Sequence, residues 1–438
     1  MGMDCLRCRT SEVIASLRRS NPFFLFSLSI IHFLVACSDF FEPVESTPEP
    51  TEYSYNYWLL QRTYLFEDEL PQLDENGDSV SELYNALSDR FTRYVPPAKS
   101  QETITHINTS LVPGDIGLEY ITFDEQEHPI YIYRVYDKSP AGRAGVPRYG
   151  NILYANGIEI SGDRAYAIYD SILSYNKNIS LKVSYSGDTS TYKLVKEDVY
   201  APTVFIDTFN ETPVITITGF KLKTADQENG TKGEMRTYLD STRNSTQPRL
   251  IDLRNNPGGH VDHCTEMADL FIESGAISIR SWRTFTPDGE RTRNDEDRNA
   301  TPGDAGENGK FVVLVNKHSA SCAEIFAAAL QEGAGIPIAG EVTYGKGIGQ
   351  STWKTPAGGL AIITNIEFLT PNGNSYHQKG ISPDYLCEGA SIQCGFDALQ
   401  KYYGKKVLKK GTNNFLGENH TIQRRYQFDK GAFVEGSF

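Results

Sequence analysis

The spacing of apolar positions changes along the chain, and each change marks a new kind of element. Across residues 57–87, Trp58, Leu59, Tyr64, Leu65, Leu83, Tyr84 and Leu87 recur at mixed three-to-four spacing, which predicts helix. Pro71 and Asn76-Gly77 break that pattern into a helical hairpin, and Pro96-Pro97 closes the section. From about residue 105 to 197 the period shortens toward two, and residues 130–135 and 179–183 predict strands rich in β-branched and aromatic side chains. Beyond residue 200, apolar runs at 214–217, 250–253, 311–315 and 336–339 predict further strands. Helical spacing follows two of them, at Val261, Cys264, Ala268 and Phe271 and again at 323–330. Strands alternating with helices predict an α/β layer with a partly parallel sheet.

The first forty residues follow a different rule. Arg7, Arg9, Arg18 and Arg19 precede an uncharged stretch, 22–36, rich in Phe, Leu and Ile. That is shorter than the roughly 20 residues a membrane span needs, and it fits the apolar region of a secretory signal. It ends Leu34-Val35-Ala36-Cys37, which resembles a bacterial lipobox. The resemblance implies cleavage before Cys37, a diacylglycerol on its sulfur, and a lipid-anchored place in the bacterial cell envelope, at the periplasmic face or outer membrane. An ordinary signal peptide or an uncleaved anchor with an incidental cysteine is the alternative. Residues 38–54, rich in Glu, Pro, Ser and Thr, suit a solvated tether.

Composition narrows the classes. Of 438 residues, 39% are hydrophobic, enough to bury a real core, and the length suggests two to four domains. Forty-two basic against 56 acidic side chains give a net charge of −14, the wrong balance for a protein that neutralises phosphates, so no nucleic-acid partner is expected. Seven cysteines in this length make no dense disulfide scaffold, and their spacing does not suggest a zinc ribbon.

Candidate chemistry is concentrated after residue 200. Residues 250–259, Leu-Ile-Asp-Leu-Arg-Asn-Asn-Pro-Gly-Gly, read as a strand entering a tight turn before a helix, where bare N–H groups can meet an anion. Residues 319–325, Ser-Ala-Ser-Cys-Ala-Glu-Ile, place Ser321 at a strand-to-helix junction. Residues 340–347, Gly-Glu-Val-Thr-Tyr-Gly-Lys-Gly, are followed by Gln350. Upstream, Ser139-Pro140-Ala141-Gly142-Arg143-Ala144-Gly145 and Gly150-Asn151-Ile152-Leu153-Tyr154-Ala155-Asn156-Gly157 look like a PDZ domain, with Asn151 where Asp is usual. Ile116, Gly117 and Leu118 then fall where such a domain places its carboxylate-binding loop, beside a strand edge able to pair with a peptide.

These motifs, in order and with Thr370-Pro371-Asn372-Gly373 through Pro383-Asp384, resemble the C-terminal processing peptidases, or tail-specific proteases, over residues 57–403. The N-terminal part looks most like their secreted lipoprotein branch of Bacteroidetes type. The resemblance implies a helical N-terminal module, a PDZ-like β module and an α/β catalytic core of crotonase-like type. The boundaries expected are a signal peptide at 1–36, a tether at 37–54, a helical domain at 55–100, the PDZ domain at 105–197, the catalytic domain at 198–404 and a tail at 405–438. It further implies Ser321 as nucleophile, Lys346 as general base and Gln350 as the residue orienting the lysine. Gly258 or Gly259, with Cys322, would supply oxyanion N–H groups. No cofactor or metal is implied, and the expected partners are polypeptides with accessible C-termini and, through Cys37, a membrane. A serine hydroxyl needs a base, and a lysine can be one only when a buried pocket keeps it neutral.

Duller readings accompany each piece. Ser319 rivals Ser321 as nucleophile. Cys322 suits a small core residue. Gly340 to Lys346 nearly spells a P-loop, but Gly347 stands where Ser or Thr must bind Mg²⁺. His260, His263 and Cys264 share one helix face without an evident fourth ligand, so ordinary helix residues are expected. Glu332 is read as a surface residue. Cys387 and Cys394 could pair in an oxidising compartment. The competing functional class is a catalytically silent, PDZ-bearing lipoprotein that binds peptides without cutting them.

Overall fold

The computed structural model describes residues 51–405 apart from 73, 75–76, 124–125, 210 and 286–290. The signal peptide, Cys37, the tether to residue 50 and the tail from 406 lie outside the described residues. Among the described residues no helix is long and apolar enough to cross a membrane.

The central sheet has six strands in the order Val204–Phe209, Thr212–Ile217, Arg249–Asp252, Phe311–Val315, Ile338–Gly340, Tyr385–Leu386. The first pair is antiparallel and the rest are parallel. Parallel strands sit between layers of helix and need apolar side chains on both faces. Phe311–Val315 does so throughout: Phe311, Val313 and Val315 pack with helices Gly230–Ser241, Val261–Asp269 and Cys322–Gly333, while Val312 and Leu314 meet helix Ile392–Tyr403. All five are fully buried, each contributing roughly 1.5–3 kcal/mol of apolar transfer.

A second sheet was not legible in the apolar pattern. Strand Leu360–Leu369 pairs antiparallel with Arg93–Val95, Ala276–Phe285 and Ile348–Lys354, and Arg291–Asn299 extends the edge beyond Ala276–Phe285. Through it the N-terminal segment joins the rest of the fold, because helices Glu52–Thr63 and Val80–Asn85 bury Leu59, Leu60, Leu83 and Tyr84 against Ala361 and Ile363. Pro96-Pro97 does not close that segment. Pro96 is extended and Pro97 opens helix Pro97–Asn108, where a first-turn proline costs no hydrogen bond.

The β module is a sheet of Leu118–Thr122, Ile130–Val135, Asn151–Ala155, Asn178–Tyr185 and Asp188–Val195, with Ile158–Glu159 beside the third. Helix Ala165–Tyr175 covers its core, and Leu118–Thr122 is an edge strand. A buried ion cluster ties the module to the central sheet: Arg134 lies between Glu119 at 3.4 Å and Asp207 at 3.5 Å. Arg148 reaches the same Asp207 at 2.6 Å.

Candidate active site

Ser321 stands at the end of the most buried parallel strand, as the N-cap of helix Cys322–Gly333. Its φ of 55° and ψ of −118° are unusual for a residue with a Cβ, and surrounding bonds must hold it there. The preceding loop is fixed by Ala320 N–H donating to Asn256 O at 2.9 Å. Ser319 is fully buried, and its hydroxyl donates to the Leu253 carbonyl at 2.9 Å while accepting from Asn316 N–H at 3.0 Å. Those bonds give Ser319 a structural task and leave Ser321 at the cavity.

That cavity, about 190 Å³, is lined by Ser321, Lys346, Gln350, Gly258, Gly259 and Phe91 among others. Lys346 Nζ donates to Gln350 Oε1 at 3.1 Å, and Gln350 Nε2 donates to Thr364 Oγ1 at 3.0 Å. The amide is therefore oriented by Thr364, and it orients the amine without bringing a charge. Gln350 sits at an irregularity in the pairing of Ile348–Lys354 with Leu360–Leu369, a device that re-aims a side chain. Burial pushes the Lys346 pKa down to about 8; Asp89 and Glu324 oppose the shift, and Arg93 and Arg90 assist it. A second cavity, about 370 Å³ and lined by Asp89 and His377, also borders Lys346, and Phe91 lines both.

Glu324, one turn into the serine's helix, connects the two halves of the site. It is fully buried. Its Oε2 accepts from the N–H groups of Ser321 at 2.8 Å and Lys346 at 2.7 Å. Its Oε1 accepts from Gly345 N–H at 2.6 Å and Thr343 Oγ1 at 2.5 Å. Burial raises its pKa and the four donors act against that rise. Sequence reasoning placed Glu324 in a motif without a task. The signal was present: a Glu three residues after an N-cap Ser is a capping-box pattern. Phe91 had no comparable signal.

The Gly258-Gly259 turn packs on Ser321. Gly258 has φ +99°, and a Cβ there would lie 2.8 Å from Ala320 O, Cys322 N and Ser321 Cβ. Its own N–H donates to Asn256 Oδ1 at 2.8 Å, while Asn256 Nδ2 holds the Ile217 carbonyl at 2.9 Å. Cys322 differs from the expectation of a free core residue, since it is disulfide-bonded to Cys264. Two cysteines 58 positions apart meet because adjacent parallel strands deliver the first turns of their helices side by side. The bond also removes Cys264 from the possible ligand set with His260 and His263. Cys387 and Cys394 are bonded to each other. Glu332 accepts from Asn372 N–H at 2.8 Å near the surface.

Ile116, Gly117 and Leu118 lie in the β module, at the start of its edge strand, and do not line the Ser321 cavity. Gly117 adopts φ +78°, with Ser139 filling the space a Cβ would need. Its N–H donates to Asp115 Oδ1 at 2.5 Å, so a carboxylate of the chain itself already meets this amide.

Residues 211–387 match the model of Peptidase family S41. Among curated proteins, the "Probable CtpA-like serine protease" of Staphylococcus aureus (strain MRSA252) is 28% identical over 347 residues, covering 78% of this chain and 66% of that protein. The chain thus spans about two thirds of that relative's length. Among solved structures, one described as "Putative S41 protease from Bacteroides fragilis NCTC 9343" superposes with a TM-score of 0.52 at 15% identity. It covers 83% of this chain and 94% of its own, a likeness of fold. The photosystem II D1 C-terminal processing protease gives a TM-score of 0.48 at 19% identity, covering 82% and 98%.

Proposed function

We propose, from the match of residues 211–387 to Peptidase family S41 and the likeness to a CtpA-like serine protease, that this chain is an envelope serine endopeptidase that cleaves polypeptides near exposed C-termini through an acyl-enzyme on Ser321. Neutral Lys346 takes the proton from Ser321 Oγ as the oxygen attacks the scissile carbonyl carbon. The amides of Gly259 and Cys322 receive the resulting oxyanion, because the Gly258 N–H is occupied by Asn256. Collapse expels the amine, which leaves with the proton held by Lys346. Water, deprotonated by neutral Lys346, then attacks the ester, and the lysine returns that proton to Ser321 Oγ as the acid product leaves. The observation that carries this reading is a buried lysine with a pKa near 8, lining one cavity with Ser321 and aimed by a neutral amide.

The β module is read as a PDZ domain that captures substrate tails at the open edge of Leu118–Thr122. A captured carboxylate would compete with Asp115 for the Gly117 amide. Lipidation of Cys37 would place the enzyme at a membrane facing an oxidising compartment, and the pairing of all four described cysteines suits such a place.

Mass spectrometry of products from a mixture of unfolded proteins tests the activity. The expected result is cleavage by the wild-type chain and none by Ser321→Ala. Undiminished cleavage by that variant would remove the mechanism, and no cleavage by either would favour a peptide-binding lipoprotein. For the anchor, Cys37→Ser should move the protein from the membrane to the soluble fraction of the producing bacterium. An unchanged distribution overturns lipidation.

A further inference from the structure

The two segments proposed to hold the oxyanion reach the site from different loops. One is the turn through Gly258 and Gly259, which runs into helix Val261–Asp269 after strand Arg249–Asp252. The other is Ser321-Cys322, at the start of helix Cys322–Gly333 after strand Phe311–Val315. Their separation sets the spacing of the amides, and they touch directly: a Cβ on Gly258 would lie 2.8 Å from Cys322 N. Just behind this contact Cys264, one turn into the first helix, is bonded to Cys322, the first residue of the second, with Cα atoms 5.6 Å apart. Both cysteines are fully buried.

We propose that the Cys264–Cys322 disulfide is a positioning crosslink for the active site, a covalent link that fixes the Gly258-Gly259 turn against the Ser321-Cys322 turn at the spacing the oxyanion requires. The inference rests on the serine-peptidase reading above. Noncovalent packing lets two loops shift by fractions of an ångström, and displacements near 1 Å at reacting groups can cost about 10²-fold in rate. A bond between the first turns of both helices limits that movement on the side away from substrate. It also lies next to Ser321, whose positive φ needs support from its surroundings.

The link forms by thiol–disulfide exchange. Cys264 and Cys322 together give up two protons and two electrons to a protein disulfide of the oxidising compartment, which leaves as a dithiol. With both sulfurs enclosed, a reductant outside the folded enzyme does not reach them. The crosslink is therefore set during folding and is not toggled afterwards.

The test compares the wild-type mature chain, Cys264→Ser, and Cys264→Ala/Cys322→Ala, together with wild-type protein refolded in the presence of a dithiol. The readouts are thermal midpoint, kcat and KM on a quenched fluorescent peptide, and affinity for a peptide boronate that bonds to Ser321 and mimics the tetrahedral intermediate. Wild-type cleavage abolished by Ser321→Ala establishes the underlying reading by itself. With that established, forms lacking the crosslink should lose about tenfold or more in kcat at a temperature where all are folded. Boronate affinity should fall in parallel and KM should be nearly unchanged. Equal kcat and equal boronate affinity, with only the thermal midpoint lowered, would make the bond purely a stabilising one and overturn the proposal. Failure of every uncrosslinked form to fold would overturn it in the same way.

Discussion

Lys346 Nζ lies 4.3 Å from the centre of the Phe91 ring, so the proposed base rests on a side chain from the far N-terminal part of the fold. Two opposing effects act there. The ring face favours the charged amine, while the water it excludes would favour it more, and burial is the largest cause of the lowered pKa. Phe91→Ala would join the two cavities that flank the lysine and admit water. The alkaline-rising limb of the kcat/KM profile should then move upward by about one pH unit. A profile left in place would show that Phe91 is not what keeps the amine dry.

The wild-type profile should rise through about pH 8 as Lys346 loses its proton. The same shift has a consequence for stability. Between about 8 and the ordinary 10.5 the unfolded chain holds more protons than the folded one, so stability should increase with pH across that window. At pH 7 both states are protonated and the native state bears the full cost, on the order of 3 kcal/mol. Lys346→Met should therefore abolish cleavage and raise the denaturation midpoint at neutral pH. A midpoint that falls would contradict the electrostatic account of this pocket.

Glu324→Gln tests whether one carboxylate holds the serine turn to the lysine segment. An amide offers one accepting oxygen and a donating NH₂ to four donors, so at least two would be left facing it badly. We expect a loss of about 2–4 kcal/mol in stability and at least tenfold in kcat, measured by denaturant titration and peptide hydrolysis. Retention of both values would remove Glu324 from its positioning role.

Gly258→Ala should leave the fold in place and reduce kcat by about 10²-fold. The added methyl would press on Ser321 and Cys322, and the backbone conformation disfavours any Cβ. Circular dichroism and active-site titration with a serine-directed reagent would separate a displaced nucleophile from an unfolded chain.

Asp115→Asn should strengthen capture of a peptide with a free C-terminal carboxylate, because it removes a negative charge that already meets the Gly117 amide. Calorimetry with such a peptide and its C-terminally amidated form gives the comparison. Equal affinities of wild type and variant for both peptides would separate Ile116, Gly117 and Leu118 from carboxylate binding.

Much of the central sheet could be read from the chain because Phe311–Val315 and its neighbours are short runs apolar on both faces, as strands buried between two helical layers must be. The strand Arg291–Asn299 left no such trace. It is an edge strand of charged and polar residues, largely exposed, and without apolar alternation it cannot be told from a loop. Helix Pro97–Asn108 was hidden for a related reason: Ser100 is its only buried residue among twelve, and its opening proline reads equally well as a stop. At the candidate site, Ser321, Lys346 and Gln350 were singled out through motif order. The contact of Phe91 with Lys346 and the bond between Cys264 and Cys322 depend on how sheets stack and helices abut, which local patterns do not encode.

Strand Leu360–Leu369 gives the proposed envelope enzyme a schedule. It pairs with Arg93–Val95 and with Ile348–Lys354, takes Thr92 Oγ1 on its Thr364 N–H, and offers the Thr364 hydroxyl to Gln350. A chain exported from its N-terminus would present the Phe91 region first and this strand almost last. Until residue 369 has emerged there would be nothing to align the proposed base or to join Arg93–Val95 to Ile348–Lys354. If the chain is exported in that order, it would stay inert while it crosses, and neither the export machinery nor neighbouring nascent chains would meet an active nucleophile.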